Sequence, residues 1–278
     1  MMALVTAALL ALYAATLADL AALSIGSRYY SHVPLVPLFS AWVAWTGRRH
    51  LPPVGWDLRP AGGALLAAAV LILAFGTWLD SLTVRVLSLT LAVGAGILLA
   101  LGIPGLRRLA FPVGFLALMA PLPGAALARV SLVMQDLATT VTHGVLTALA
   151  IPVVRDGLSL HLEAVTLDIT EECNGLRFLF TMAVVGTAVA WALRGPAGHR
   201  ALIVGLALAS AVAANLLRVA GTALLADLAG ADAVTGLPHL VWGKAVYAVL
   251  FVAFTLAAVT LRRPTPPLPR PTPTSTAR

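Results

Sequence analysis

The sequence has few charged residues and contains long stretches with none. Only 10% of its 278 residues are Asp, Glu, Lys or Arg, whereas 60% are hydrophobic. A soluble domain carries about 25% charged residues, so this scarcity excludes a soluble globular protein. The uncharged runs reach the ~20 residues that a helix needs to cross a bilayer, and helices satisfy their own backbone there. The sequence therefore predicts an all-α polytopic membrane protein.

Other absences exclude several kinds of site. The single cysteine, Cys173, cannot form an intramolecular disulfide and cannot bind a metal alone. His143 and His161 have no metal-like spacing with each other or with this cysteine. There is no Gly-rich phosphate loop and no internal repeat of the kind that many transporters show. We therefore expect neither a metal nor another cofactor.

The hydrophobic runs predict about eight spans and their orientation. With the N-terminus cytoplasmic, the inner segments 47–60, 104–110, 194–200 and 262–278 hold 11 of the 18 basic residues and only one acid, Asp57. This asymmetry follows the positive-inside rule. The net charge of +7 therefore indicates membrane orientation and not a nucleic-acid partner. The predicted spans are 3–24, 34–46, 61–79, 86–103, 111–126, 176–193, 201–224 and 240–261.

The longest segment outside the spans, about 127–172, lies on the outer side in this orientation. Its first part, 128–149, is amphipathic and predicts a helix that lies along the interface or packs on the bundle. A turn signal at Asp156-Gly157 then precedes alternating apolar and polar residues. This pattern predicts a short hairpin over 155–170, which leads directly to the cysteine.

The two ends of the chain differ in composition. The first ten residues lack a positive region, so they predict a first span and not a cleaved signal peptide. Residues 262–278 hold six of the 18 prolines and predict a disordered cytoplasmic tail. We expect a single transmembrane domain over 1–261, with both termini cytoplasmic.

Three scarce residue types fall at one predicted depth on the outer side. Cys173 lies just before the span that starts near Leu176, where the helix dipole and Arg177, four residues on, favour a thiolate. Arg218 follows about seventeen residues without a charge, and an arginine near membrane depth is a functional candidate. His239 begins the last span and can exchange protons near neutral pH.

A cysteine nucleophile, a histidine acid/base and an arginine that holds an oxyanion or carboxylate form a workable set for acyl transfer. Each residue also has a structural explanation. Cys173 can pack as a small hydrophobe, His239 can cap a helix, and Arg218 can snorkel or pair with Asp19 or Asp227. A polytopic transporter, with Arg218 as a substrate or ion contact, and a non-enzymatic assembly subunit are the alternatives.

Five stretches of the sequence form a recognisable series. They are 30–37, which includes His32, then 111–123, 172–176, 215–218 and finally His239. On these residues the chain resembles the exosortase/archaeosortase family of polytopic membrane cysteine transpeptidases. The likeness runs to about residue 261. A histidine at the third active-site position is typical of the bacterial exosortase branch.

The resemblance implies a specific reaction. Cys173 attacks a peptide bond near the C-terminus of a secreted protein and forms a thioester, which passes to an unidentified acceptor. The substrate carries a PEP-CTERM-like signal, which is a short motif, a hydrophobic span and a basic tail. The site faces the extracytoplasmic side of a bacterial cytoplasmic membrane, with the lipid bilayer as a further partner. Supporting roles are implied for Asn174, Gly175, Arg177, Asn215 and His32.

Overall fold

The computed structural model describes residues 2–53, 60–163, 165–230 and 236–261. The predicted disordered tail, 262–278, lies outside these residues. The described chain is mostly helical and carries one small sheet. Its helices are α1 Met2–Leu12, α2 Ala14–Gly26, α3 Leu35–Gly47, α4 Pro60–Trp78, α5 Leu82–Phe115, α6 Gly124–Ala148, α7 Leu176–Ala192, α8 Ala197–Ala229 and α9 Gly236–Thr260.

Five of the described helices are long and apolar enough to cross a membrane, or six if α1 and α2, which meet at a 65° bend, form one span. The protein is thus a multi-pass membrane protein. The count differs from the predicted eight for two reasons. The α3 helix has only 13 residues, fewer than the ~20 that a span needs. The predicted spans 86–103 and 111–126 fall mostly in α5 and the 3₁₀ turn after it, which are counted as one element although the chain bends sharply at Gly102.

This long element folds back on itself at Gly102. The glycine has φ of 65° and ψ of −169°, a conformation that side-chain-bearing residues rarely adopt. The hydroxyl of Thr83, at the start of α5, donates a 2.8 Å hydrogen bond to the carbonyl of Pro121. A straight helix of this length would separate those residues by more than about 50 Å. The two arms are therefore antiparallel, and they correspond to the two predicted spans.

Hydrogen bonds connect the loops at one end of the bundle, and we call this end the site end. The backbone N–H of Leu122, after the second arm of α5, donates to the hydroxyl of Tyr30, which precedes α3, at 3.0 Å. Tyr29 beside it accepts a 3.1 Å hydrogen bond from Asn174, just before α7. The segment that carries Cys173 therefore meets the loops between α2 and α3 and before α6.

The amphipathic segment forms helix α6, and it packs on the bundle. Its buried residues recur at helical spacing and include the polar Ser131, Gln135, Thr139 and Thr142. Because α6 lies against α8, this polar face is turned inward. Of the two predicted arrangements, packing on the bundle is the one observed.

A three-stranded antiparallel sheet follows α6 and confirms the predicted hairpin. Its strands are β1 Val153–Asp156, β2 Ser159–Leu162 and β3 Thr166–Asp168, in the order β1-β2-β3. The first turn pairs Asp156 with Ser159, and Gly157 within it has φ of 58°. This positive φ explains why the turn signal contains glycine.

The sheet rests on the far part of α8. Leu160 of β2 is fully buried and clusters with Leu146 of α6 and Ala223 of α8. Helix α8 meets the start of α7 at Asn215. It continues to Ala229 and therefore extends about 20 Å beyond that contact. This extension, α6 and the sheet together form a cap at the site end, and β3 leads from the cap to Cys173.

Candidate active site

Cys173 lies in a short turn immediately before α7, as the sequence predicted. Residues Glu171–Cys173 form a 3₁₀ turn in which the Cys173 N–H donates to the Thr170 carbonyl at 2.9 Å. The side chain is half-buried and packs beside Ala138 and Val219. Gly175, two residues on, has φ of 70° and caps α7. The turn therefore presents the thiol between α6 and α8, outside the α7 helix itself.

Asn174 anchors this turn through three hydrogen bonds. Its side chain is 1% exposed. Its Oδ1 accepts from the N–H of Leu176 at 3.0 Å, which satisfies one of the free N–H groups at the start of α7. Its Nδ2 donates to the hydroxyl of Tyr29 at 3.1 Å and to Oγ of Ser131 at 2.7 Å. The residue beside the thiol is thus fixed by the α2–α3 loop, by α6 and by α7.

The network around Asn174 includes residues that the sequence analysis missed. Gln135 donates to the Ser131 hydroxyl at 2.8 Å, and the Tyr29 hydroxyl donates to the Glu171 carboxylate at 3.2 Å. The signal for Ser131 and Gln135 was the polar face of α6, because buried polar side chains are nearly always hydrogen-bonded. Nothing in the sequence indicated that this face meets Asn174.

Arg218 is buried beside the turn without a carboxylate partner. Arg218 is 8% exposed, and its Nη2 donates to Oδ1 of Asn215 at 3.2 Å. No carboxylate of the described residues lies within 4.0 Å of it. Asp19 instead pairs with Arg85 at 2.7 Å. The alternative that Arg218 is neutralised by Asp19 or Asp227 is therefore wrong for this structure.

Helix α9 supplies two further partners of Arg218 that the sequence analysis did not identify. The indole Nε1 of Trp242 donates to the Arg218 carbonyl at 3.0 Å. The guanidinium carbon lies 5.9 Å from the ring centroid of Tyr247, within the range of a cation–π contact. The Tyr247 hydroxyl also lies 3.5 Å from Oδ1 of Asn215. Because these rings come from a helix far along the chain, sequence spacing gave no sign of them.

Two cavities flank Arg218. The first, the arginine cavity, has a volume of about 430 Å³. The second, the hairpin cavity, has a volume of about 270 Å³, and Cys173 lines it. Arg218 and Glu172 line both cavities. The arginine cavity is also lined by Arg28, Tyr29, Ser31, Glu171, Asn174, Gly175, Arg177, Phe178, Thr181 and Tyr247, and the hairpin cavity by residues 166–170, Val219 and Thr222.

The predicted relation between Cys173 and Arg177 is wrong. A spacing of four residues places two side chains on one face only within a continuous helix. Here the left-handed Gly175 turns the chain between them. The Arg177 Nε donates to the backbone carbonyl of Arg28, and Arg177 lines the arginine cavity while Cys173 lines the other. Arg177 and Cys173 therefore do not share a helix face.

A comparison with protein families identifies the family of this chain. The transmembrane exosortase family model matches residues 21–256. The chain belongs to this family. A search of curated proteins and a search of solved structures each found no match. The matched residues include the Cys173 turn, α6, the sheet and α8, and family membership implies the role of a sorting transpeptidase.

The structure describes the side chain of only one of the two histidines, His239 and His32, that were predicted for the site of this exosortase. His239 belongs to the first turn of α9, but its side chain lies outside what the structure describes, so its distance to Cys173 stays a prediction. His32 is 5% exposed, and its Nδ1 has no hydrogen-bond partner among the described residues. Burial lowers the pKa of His32 below its ordinary value of 6.5. Its ring lies 6.0 Å from that of Phe180, which favours a packing role in the site end.

Proposed function

We propose that this exosortase cleaves the C-terminal sorting signal of secreted proteins through a thioester on Cys173 and transfers the new C-terminus to an acceptor. The observation that carries the proposal is the placement of the thiol. An anchored turn holds Cys173 at a cavity that also contains Arg218, which is buried and forms no ion pair with a carboxylate of the described residues. A nucleophile beside a fixed, desolvated cation is suited to attack on a carbonyl.

In the first half-reaction, the Cys173 sulfur attacks the carbonyl carbon of the scissile peptide bond. Negative charge develops on the carbonyl oxygen, and the guanidinium of Arg218 stabilises it through charge-assisted hydrogen bonds. The C–N bond then breaks, and the leaving amine takes a proton. In this proposal His239 accepts the thiol proton and delivers it to that amine.

The supporting residues hold these groups in place. Asn174 fixes the turn before α7 through its three hydrogen bonds. Gly175 permits the close approach of the turn to Asn215, and Asn215 in turn accepts from Arg218. The two remaining supporting residues are Arg177, which lines the arginine cavity, and His32, which is buried in the site end.

The proposed substrate and location follow the family role. The substrate carries a short motif, a hydrophobic span and a basic tail, in the PEP-CTERM-like manner. The hydrophobic span lets the signal reach a site at the end of a helical bundle from within the bilayer. We place the site on the extracytoplasmic side of a bacterial cytoplasmic membrane, because the basic segments then face the cytoplasm.

The test is processing of a tagged substrate in cells. A secreted protein with a C-terminal motif, span, basic tail and epitope tag is produced together with the wild type, with Cys173→Ser or with Ser24→Ala. Loss of the tag is followed by immunoblot, and the new C-terminus by mass spectrometry. Ser24 is the control because its hydroxyl bonds only the nearby Ala21 carbonyl on α2.

We expect tag loss with the wild type and with Ser24→Ala, and none with Cys173→Ser. A serine keeps the size of the side chain but is a far weaker nucleophile at neutral pH. Equal processing by Cys173→Ser, at equal protein level in the membrane, would remove Cys173 as the nucleophile and contradict the proposal.

A further inference from the structure

The two cavities beside Arg218 differ in chemistry. The arginine cavity is lined by three guanidinium groups, those of Arg28, Arg177 and Arg218, and by two carboxylates, Glu171 and Glu172. Guanidinium N–H groups are donors only. An excess of donors suits a ligand rich in carbonyl acceptors, such as an extended peptide.

The hairpin cavity is lined by the Arg218 guanidinium and by several side chains that can accept hydrogen bonds. Its rim carries the carboxylates of Asp168 and Glu172 and the hydroxyls of Thr166, Thr170 and Thr222. The Thr222 hydroxyl donates its proton to the Arg218 carbonyl at 2.8 Å, which leaves its oxygen free to accept. Glu172 Oε1 already accepts from Arg28, and Asp168 Oδ1 from Ser159, but a carboxylate has about four acceptor positions. The acceptor positions that remain suit a ligand with several N–H or O–H groups.

The size of the hairpin cavity is also informative. Its volume is about 270 Å³, just below the range for small-molecule sites, which starts at about 300 Å³. It therefore suits a small polar group better than a length of peptide. The cavity lies between the end of β3 and the extension of α8, and the thiol is in its wall.

We propose that the hairpin cavity binds the acceptor of the transfer reaction, a primary amine or alcohol on a small donor-rich polar group, while the peptide occupies the arginine cavity. The inference rests on the proposed function. The scissile carbonyl then lies where the cavities adjoin, between Cys173 and Arg218. The acceptor approaches the thioester from the side opposite to the peptide.

In the second half-reaction the acceptor displaces the Cys173 thiolate from the acyl group. The nitrogen or oxygen of the acceptor forms a bond to the acyl carbon, and the C–S bond breaks with its electron pair leaving on the Cys173 sulfur. The proton lost by the acceptor passes to the base, His239 in the proposed mechanism, and returns to the thiolate. Water in the same position gives hydrolysis. The ratio of transfer to hydrolysis therefore reports on the acceptor site.

Two threonines form a matched pair for the test. Thr222 on α8 lines the hairpin cavity, and Thr181 on α7 lines the arginine cavity. Each hydroxyl donates a 2.8 Å hydrogen bond to the carbonyl of an arginine four residues earlier, Arg218 or Arg177. Replacing either by leucine fills its cavity while removing the same kind of bond.

The experiment uses the full chain in phosphatidylcholine nanodiscs with a peptide that carries the sorting signal. Ethanolamine is added as the soluble probe nucleophile in a concentration series. A second arm replaces the lipid by phosphatidylethanolamine without soluble probe, which separates a lipid headgroup from a free acceptor. Mass spectrometry gives the ratio of amide to free-acid product for the wild type, Thr222→Leu and Thr181→Leu.

We expect the wild-type ratio to saturate with ethanolamine or to rise in the lipid arm. Thr222→Leu should lower the ratio about tenfold or more, because small misplacements of reacting groups cost up to about 100-fold. Thr181→Leu should slow cleavage and leave the ratio unchanged. Asp168→Asn, an exposed change on the rim that is compatible with folding, should also lower the ratio.

Three results would overturn the inference. One is a ratio that rises linearly with ethanolamine and stays equal in the wild type and Thr222→Leu. Another is a fall in the ratio with Thr181→Leu but not with Thr222→Leu or Asp168→Asn. If the wild type forms no product at all, the proposed function itself fails and the acceptor site with it. Cleavage without any selective effect on the ratio removes only the acceptor site.

Discussion

Gly175, which caps α7, lies directly against Asn215 of α8. A Cβ placed on Gly175 would be 2.5 Å from Cγ of Asn215, closer than real carbon atoms approach. Asn215 accepts the hydrogen bond that orients Arg218. This one contact therefore joins the turn that carries Cys173 to the helix that carries the arginine.

Substitution of Gly175 by alanine should uncouple these two parts of the site. The new methyl group would displace the fully buried Asn215, and alanine at φ of 70° costs roughly 1–2 kcal/mol. We expect Gly175→Ala to abolish substrate processing and to lower the thermal unfolding midpoint in detergent. Gly198→Ala is the control, since nothing lies within 4 Å of a Cβ there. Full processing by Gly175→Ala would show that the contact is not required.

The hydrogen bonds of Asn174 should matter more than those of Ser131. Asn174→Ala removes three hydrogen bonds, with the Tyr29 hydroxyl, the Ser131 hydroxyl and the Leu176 N–H. The Leu176 N–H then loses its side-chain acceptor, and a buried unpaired group costs about 1–3 kcal/mol. Ser131→Ala removes one of these three bonds and the bond that Ser131 accepts from Gln135. We expect a graded loss of thermal stability and of processing, largest for Asn174→Ala. An equal effect of both variants would contradict the central position of Asn174.

The planar guanidinium of Arg218 should not be replaceable by an amine. Lysine keeps the positive charge but lacks the fixed fork of donors that reaches Asn215 and an oxyanion together. We expect Arg218→Lys to reduce turnover by about 10²- to 10³-fold, the usual effect of removing a transition-state donor, with KM little changed. Turnover is measured on the tagged substrate in nanodiscs. Unchanged turnover with a raised KM would assign Arg218 to substrate binding instead.

Acid should destabilise the site end through His32. Burial lowers the pKa of His32 in the folded protein, so the unfolded chain binds more protons as the pH falls below about 6.5. The free energy of unfolding should therefore decrease from about pH 7 to about pH 5. His32→Phe, which suits the rings of Tyr30 and Phe180, should weaken this decrease.

The measurement is the thermal unfolding midpoint in detergent across that pH range. His50→Phe is the control, because His50 is exposed after α3. Midpoints that fall with pH equally in the wild type and in His32→Phe would show that another group is responsible.

The sequence predicted the parts of this protein that depend on composition and local pattern. The scarcity of charge predicted a helical membrane protein, and the turn signal at Asp156-Gly157 predicted the hairpin that the structure confirms. Both follow from short-range chemistry, since hydrophobic length and turn conformation are set by neighbouring residues. The series of motifs around Cys173 and Arg218 predicted the family, which the family model confirms.

The site was less predictable where contacts cross between helices. The sequence named Cys173, Arg218 and Asn215, but it placed Arg177 on one helix face with the thiol. The left-handed Gly175 interrupts the helix between them. Ser131, Tyr29 and Tyr247 were missed because their partners lie far along the chain.

The sequence by itself determined the class of protein, its family and the scarce residues that are candidates for the site, because these depend on residue type and local order. Only the tertiary structure decided that the α5 element folds back at Gly102 and that α6 turns its polar face inward. It also decided that Arg218 lines two cavities, of which one contains the thiol. These features arise from packing between distant segments, which local sequence patterns do not encode.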